Sequence, residues 1–412
     1  MEVISSMGNE QISDGWTWKS LFEVSERIMV GIASAATHAY RRQGVPLLRN
    51  QNIKPGVLDD GDLLFVAPEY EASFKNKRLR IGDLITMRTG YPGVTAIVPE
   101  TYDSAQSFTT LITRPKKDEV NPAYLCFYIN SEFGKRFFSQ SEIGGAQKNV
   151  NVAMLRNMPI PLPPLPEQRA IATALSDMDA LLDGLDRLIT KKRAIKQATM
   201  QQLLTGQIRL PGFNGEWEVK RLGELGVFIK GSGIRKDEAQ SGTLPCVRYG
   251  ELYTHHHDVI HSFSSYISPI VAQSATRIKA GDILFAGSGE TKEEIGKCAA
   301  FIGTEETYAG GDIVILRLMK ANPIFMGYYC NTPAIVSQKA SLGQGDAVVH
   351  ISAKALASIE VCIPEGAEQT AIATILSDMD TEITALETRR TKTRAIKQAM
   401  MQELLTGRTR LV

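Results

Sequence analysis

Apolar residues recur at alternating spacings of four and three over Ile171, Leu175, Met178, Leu182, Leu185 and Ile189. That spacing lines them along one stripe of a helix, the seam by which helices pair. The pattern returns at Ile372, Leu376, Met379, Ile383 and Leu386. Pro166 and Glu167 suit a first helical turn, Pro364 and Glu365 precede the second helix, and Gly206 and Gly407 stand where helices stop. About 38 residues of helix span ~57 Å at 1.5 Å per residue. Elsewhere the period changes to short β-rich runs (LITMRTG, DILFA, DIVILRL), with a helix predicted after each Asn-Pro. The fold class expected is α/β.

The two helical segments are copies. At a constant offset of 201, the segment from Glu167 and that from Glu368 share 28 identities in 44 positions. The blocks between them keep one order of features: VPLLR from Val45 and LPCVR from Leu244; RIGDLITMRTG from Arg80 and KAGDILFAGSG from Lys279; NPAYLCFYINS from Asn121 and NPIFMGYYCNT from Asn322. An offset of half the chain is a two-fold duplication and not a solenoid. The predicted layout is a globular domain over 1–163, a helix over 164–209, a second globular domain over 210–364 and a second helix over 365–412. The short link from Gly206 to Trp217 starts the second domain where the first helix ends. Mutual pairing then requires antiparallel helices, a pseudo-two-fold axis across the pair, and two similar heads held apart by a rod.

Composition adds exclusions. The chain has 412 residues, 43% apolar and 22% charged, an ordinary folded composition. No apolar run approaches the ~18 residues of a spanning helix, and the first thirty residues lack the order of a secretory signal, so a cytoplasmic protein is expected. The five cysteines (Cys126, Cys246, Cys298, Cys330, Cys362) form no CxxC pair, which argues against zinc and against a disulfide framework. The net charge of +1 is neutral on a nucleic-acid partner, and the distribution of charge carries the question.

Catalytic motifs are imitated but not completed. Asn121-Pro122-Ala123-Tyr124 lacks the second proline of a flipped-adenine loop, and Asn-Pro otherwise reads as a helix start. Asp282, Glu290 and Lys292 mimic a metal-nuclease set, yet the first copy keeps only Asp83. His255, His256, His257 and His261 lie in a polar stretch without ligand partners, and Gly231-Ser232-Gly233 is no nucleotide loop. No catalytic residue and no metal ligand is assigned. The basic clusters Arg187, Lys191, Lys192, Arg193, Lys196 and Arg389, Arg390, Lys392, Arg394, Lys397 read as solvated helix faces or as contact sites. In the heads, side chains with paired donors and acceptors gather in loops, as base-edge reading needs. The candidates are Arg49, Asn50, Asn52, Arg88, Thr89, Tyr91, Lys148 and Asn149 in the first head. In the second they are Ser232, Arg235, Lys236, Arg248, Tyr249, Ser288, Glu290, Lys292 and His350.

The proline-EQ helix starts (PPLPEQRAIA, IPEGAEQTAIA), the KQAxMQxLLTG helix ends and the paired R/K-x-GD segments resemble the specificity subunit of type I restriction–modification enzymes over essentially the whole chain. The resemblance implies that the heads are target recognition domains, each reading one half of a split DNA sequence, with an antiparallel coiled coil setting the unread gap. It implies two modification subunits that methylate adenine and two restriction subunits that supply motor and nuclease. S-adenosylmethionine, ATP and Mg²⁺ are then expected on those partners, and no cofactor on this chain. A stand-alone methyltransferase or nuclease needs motifs missing here, and a bare scaffold needs no pair of unlike, polar-looped heads.

Overall fold

The computed structural model describes residues 13–140, 149–345 and 347–411. The chain divides into two compact units, one within residues 1–186 together with 388–412, the other within 187–387. This differs from the four consecutive segments expected from the sequence. Each unit takes one head, the first half of the long helix that follows it, and the last half of the other long helix.

In the first unit the strands Ser25–Val30, Leu111–Pro115, Leu84–Thr86 and Thr95–Ile97 form an antiparallel sheet in that order. A second sheet runs Tyr40–Arg41, Leu64–Val66, Val45–Leu48, Gln106–Ser107, its last pair parallel. Strand Thr17–Ser20 closes on Pro159–Leu162. The second unit repeats this plan with Gly226–Lys230, Ile313–Leu318, Asp282–Ala286 and Cys298–Phe301, and adds Asp258–Ile260 as a parallel fifth strand. Asp282–Ala286 is buried throughout, which is why it reads as a continuous apolar run and not an alternating one. Each Asn-Pro starts a helix: Pro122–Asn130 with the Asn121 carboxamide accepting from the Ala123 and Tyr124 N–H groups, and Pro323–Tyr329 with Asn322 capping Phe325.

Both long helices have 39 residues, Leu165–Leu203 and Gly366–Leu404. Their seam residues meet two kinds of surface. Ile171 and Leu175 lie in the first head's core beside Trp16, Tyr124 and Ile160, and Leu404 and Leu405 from the other helix's tail enter that same core. Ile372 and Leu376 lie likewise in the second core with Leu203 and Leu204. Leu185, Ile189 and Ile383 are buried, and Met178, Leu182, Met379 and Leu386 are half-buried. Within each unit the helix segments run antiparallel, as the ion pairs show: Asp179 with Lys397 and Asp186 with Arg390 in the first, Lys196 with Asp380 and Lys192 with Glu382 in the second.

Candidate nucleic-acid interface

The motifs EQ and LTGxxRL, read from sequence only as helix boundaries, lock each helix start to the other helix's tail. Glu167 is fully buried and takes both the Nε and Nη2 groups of Arg410, with the Trp16 indole N–H donating at 3.2 Å. Glu368 takes Arg209 at 2.6 Å on both oxygens. Each guanidinium lies over a tryptophan ring, Arg410 over Trp16 and Arg209 over Trp217. The adjacent Gln168 and Gln369 side chains accept the N–H of Asn121 and Asn322. These groups hold each head on the helices.

On that frame the first head's candidate loops meet at one end of its sheet. After strand Val45–Leu48, Asn52 is 2% exposed, its amide donating to the Asp59 carbonyl and its Oδ1 accepting the Arg49 N–H. The Arg49 guanidinium bonds the Asp62 carbonyl and carboxylate. Both residues are among the expected readers, and these bonds tie them into their own loop. Asn50 reaches the next loop, donating to Thr89 Oγ1 at 2.9 Å and accepting the Arg88 N–H. Arg88 Nε donates to Asn149 Oδ1 at 2.9 Å, so three loops join in one hydrogen-bonded group. Tyr91 is 75% exposed beside them. Lys148 lies outside the described residues.

In the second head a turn over Gly310–Asp312, with Asp312 at φ +60°, gathers the loops. Gly310 N–H donates to Val247 O, Gly311 N–H to Gly233 O, and the Asp312 carbonyl accepts from Gly287 N–H. The loops bearing Ser232, Arg248, Ser288 and His350 therefore converge. Ser232 bonds the Ser274 carbonyl, and Ser288 Oγ meets His350 Nδ1 at 2.8 Å. Arg248 lies 3.6 Å from the buried Glu251 carboxylate, which accepts the Arg248 backbone N–H at 3.0 Å. Tyr249, Arg235, Lys236, Glu290 and Lys292 are exposed. The 230–236 loop has no run of similar sequence in the first head. The structure places Gly31 and Ile32 there, bonded to Thr110 and Ser107 after the equivalent strand, and the only signal was a lone glycine following a β-run. Tyr253, whose hydroxyl donates to the Ser288 carbonyl, was also missed.

The imitation motifs dissolve into structure. Asp282 is fully buried and holds Arg317 at 2.9 and 2.8 Å, and Asp83 holds Arg114 in the same way. Burial holds the His256 and His257 imidazoles below their usual value. Among the described residues no group of three or more His, Cys, Asp or Glu side chains is placed to hold a metal ion, and no helix is long and apolar enough to cross a membrane. In the basic clusters, Lys192, Arg193, Lys196, Arg390 and Lys397 are engaged in ion pairs, while Arg187, Lys191, Arg389, Lys392 and Arg394 are exposed.

A family profile described as type I restriction modification DNA specificity domain matches residues 14–197 and again 214–397. The chain is 26% identical to a type I restriction enzyme MjaX specificity subunit of Methanocaldococcus jannaschii, over 97% of this chain and 95% of that one. It is 23% identical to the MjaVIII specificity subunit of the same organism over 74% of each. Among solved structures it is similar to the type I restriction–modification S subunit from M. genitalium (TM-score 0.60, 15% identity, 96% of this chain and 97% of that one). It is also similar to the HsdS subunit from Thermoanaerobacter tengcongensis (TM-score 0.51, 18% identity, 98% and 99%).

Proposed function

Because the chain belongs to the family of type I restriction–modification DNA specificity domains, we propose that each head reads one half of a bipartite DNA site and that the paired helices fix the gap. The chain is the DNA sequence-recognition subunit of such a system, with two recognition domains and a non-catalytic role. The observation that carries the finer reading is the pair of unlike loop groups built on one repeated frame. Asn50, Arg88, Tyr91 and Asn149 present donors and acceptors in the first head, and Tyr249, Arg235, Lys236, Glu290, Lys292 and His350 do so in the second. Arg49, Asn52, Arg248, Ser232 and Ser288 hold those loops in place, and Thr89 ties Asn50. Fixed positioning beneath and polar groups presented above is what sequence discrimination by base-edge contacts requires.

In this reading methylation and cleavage belong to partner subunits, two for modification and two for restriction, in the cytoplasm. S-adenosylmethionine, ATP and Mg²⁺ act there, and this chain supplies the address. The test is the set of methylated adenines produced by the full chain with its modification subunits. Arg88→Ala should relax or weaken one half-site only and Lys292→Ala the other only, at ~1–3 kcal/mol per lost base contact. Equal loss at both half-sites from either change would refute the division of labour.

A further inference from the structure

The first head holds a second polar feature, at the end of its sheet opposite the reading loops. A cavity of about 550 Å³ opens there, lined by Arg27, Lys75, Arg78, Arg80, Arg114 and Lys117 with Asp103 as its one carboxylate. Arg80 precedes strand Leu84–Thr86 and Arg114 lies at the end of Leu111–Pro115, whereas Arg88 follows the first of these strands. The antiparallel register therefore separates the two sites along the sheet.

Charge at the cavity is only partly balanced. Arg78 is matched by Glu71 and Arg114 by Asp83, two carboxylates that are themselves 2% exposed. Asp103 accepts the Ile81 N–H. Arg27 and Lys117 donate to backbone carbonyls, of Asn76 and Ile81, which orients them without cancelling their charge. Lys75 and Arg80 are exposed, and their side chains make no hydrogen bond or ion pair among the described residues. Asp103 offsets one of the four remaining cations, and the three positive charges left uncompensated around one concavity, with two of the cations held by carbonyls, suit an anion. The lining has no aromatic ring on which a base would stack, so the chemistry recognised is that of a phosphate group.

The second head keeps Arg277, Lys279, Arg317 and Lys320 at the positions of Arg78, Arg80, Arg114 and Lys117 but lacks the other two cations. Strand register places Val227 opposite Arg317 where the first head has Arg27 opposite Arg114. Ser274 stands where spacing from the following arginine places Lys75, and Arg277 is drawn to Glu306.

We propose that this cavity of the first head binds a phosphate group, of a free polyphosphate or of a DNA backbone, separately from base reading. The DNA source rests on the function proposed above; the free source does not. The full chain is titrated with tripolyphosphate by calorimetry and with a fluorescent duplex by anisotropy across salt. The variants are Lys75→Ser with Arg80→Ser, the charge-keeping Lys75→Arg with Arg80→Lys, and Lys279→Ser as a second-head control. A free source predicts one tripolyphosphate site, weakened at least tenfold by the serine pair, retained by the charge-keeping pair and by the control. A DNA source predicts that the serine pair lowers the slope of log K against log salt by roughly 1–2, at about 0.9 per phosphate contact, with half-site discrimination unchanged. Unchanged tripolyphosphate binding together with an unchanged slope overturns the proposal. A chain that binds tripolyphosphate at this site but does not discriminate duplex sequences refutes base reading and leaves this site standing.

Discussion

Leu405 and Leu204 occupy the same position of the repeat, yet the structure buries them in different heads: Leu405 in the first core and Leu204 in the second, at 0% and 1% exposure. Truncating either to alanine removes a fully packed side chain and leaves a cavity, at ~2–5 kcal/mol. For a unit of this size about 2–4 °C of melting temperature accompanies each kcal/mol, so the affected unit should melt roughly 4–20 °C lower. The informative measurement is where protection is lost, read by amide hydrogen exchange with mass spectrometry on the full chain. Leu405→Ala should open peptides from 13–186, although it lies more than two hundred residues downstream of them. Leu204→Ala should open peptides from 210–365. If the leucines served only to zip helix to helix, both variants would loosen the helices alike and leave both heads protected. That result, or opening of the second head by Leu405→Ala, would refute the assignment of each tail to the opposite head.

Arg114→Ala leaves the Asp83 carboxylate buried and uncompensated and should cost ~3–5 kcal/mol. Arg317→Ala should cost less because Arg317 is 30% exposed and screened by water; thermal melts with and without Mg²⁺ check both, and neither should depend on the metal. Burial holds His256 below its ordinary 6.5 against the pull of Glu251, so the unfolded chain gains a proton near pH 6.5 that the folded unit refuses. The second unit should lose stability as pH falls below 6.5, and His256→Phe should flatten the change in denaturant midpoint between pH 7.5 and 5.5. A chain ending near residue 209 carries Lys196, Leu203, Leu204 and Arg209 at the repeat positions of Lys397, Leu404, Leu405 and Arg410. It should form a homodimer by light scattering and, with modification subunits, methylate a symmetric interrupted site.

Both helices and the Asn-Pro helix starts were legible because each rests on local spacing, and the duplication because its two copies keep 28 of 44 positions. Which surface covers an apolar stripe is not local. Ile171 and Leu185 look alike in sequence, but one enters a head's core beside Tyr124 and the other does not. Arg209 and Arg410 stood in tails with no local partner, since the carboxylates they meet lie 159 and 243 residues away. Nor does residue type separate Asn50 from Asn52. A short 3-10 turn over Asn50–Asn52 sends one amide toward the Thr89 loop and folds the other under Asp59.

That division explains how one frame supports two unlike recognition surfaces. The groups that join head to helices, Glu167 with Arg410 and Glu368 with Arg209, pair a buried carboxylate bidentately with a part-exposed arginine, so removing the arginine strands a charge in the interior. The proposed reading groups are exposed or half-buried, and the bonds of Asn50 and Arg88 run between loops. Exchanging Arg88, Tyr91 or Lys292 therefore changes what is presented without unpairing anything in the core, whereas exchanging Glu167 unseats the head. The same logic places Asp83 and Asp282 with the frame, since each is closed on an arginine of the neighbouring strand. If the loops read DNA as proposed, change in recognition is confined to segments whose substitution costs little folding energy, and both copies keep the frame while their loops differ.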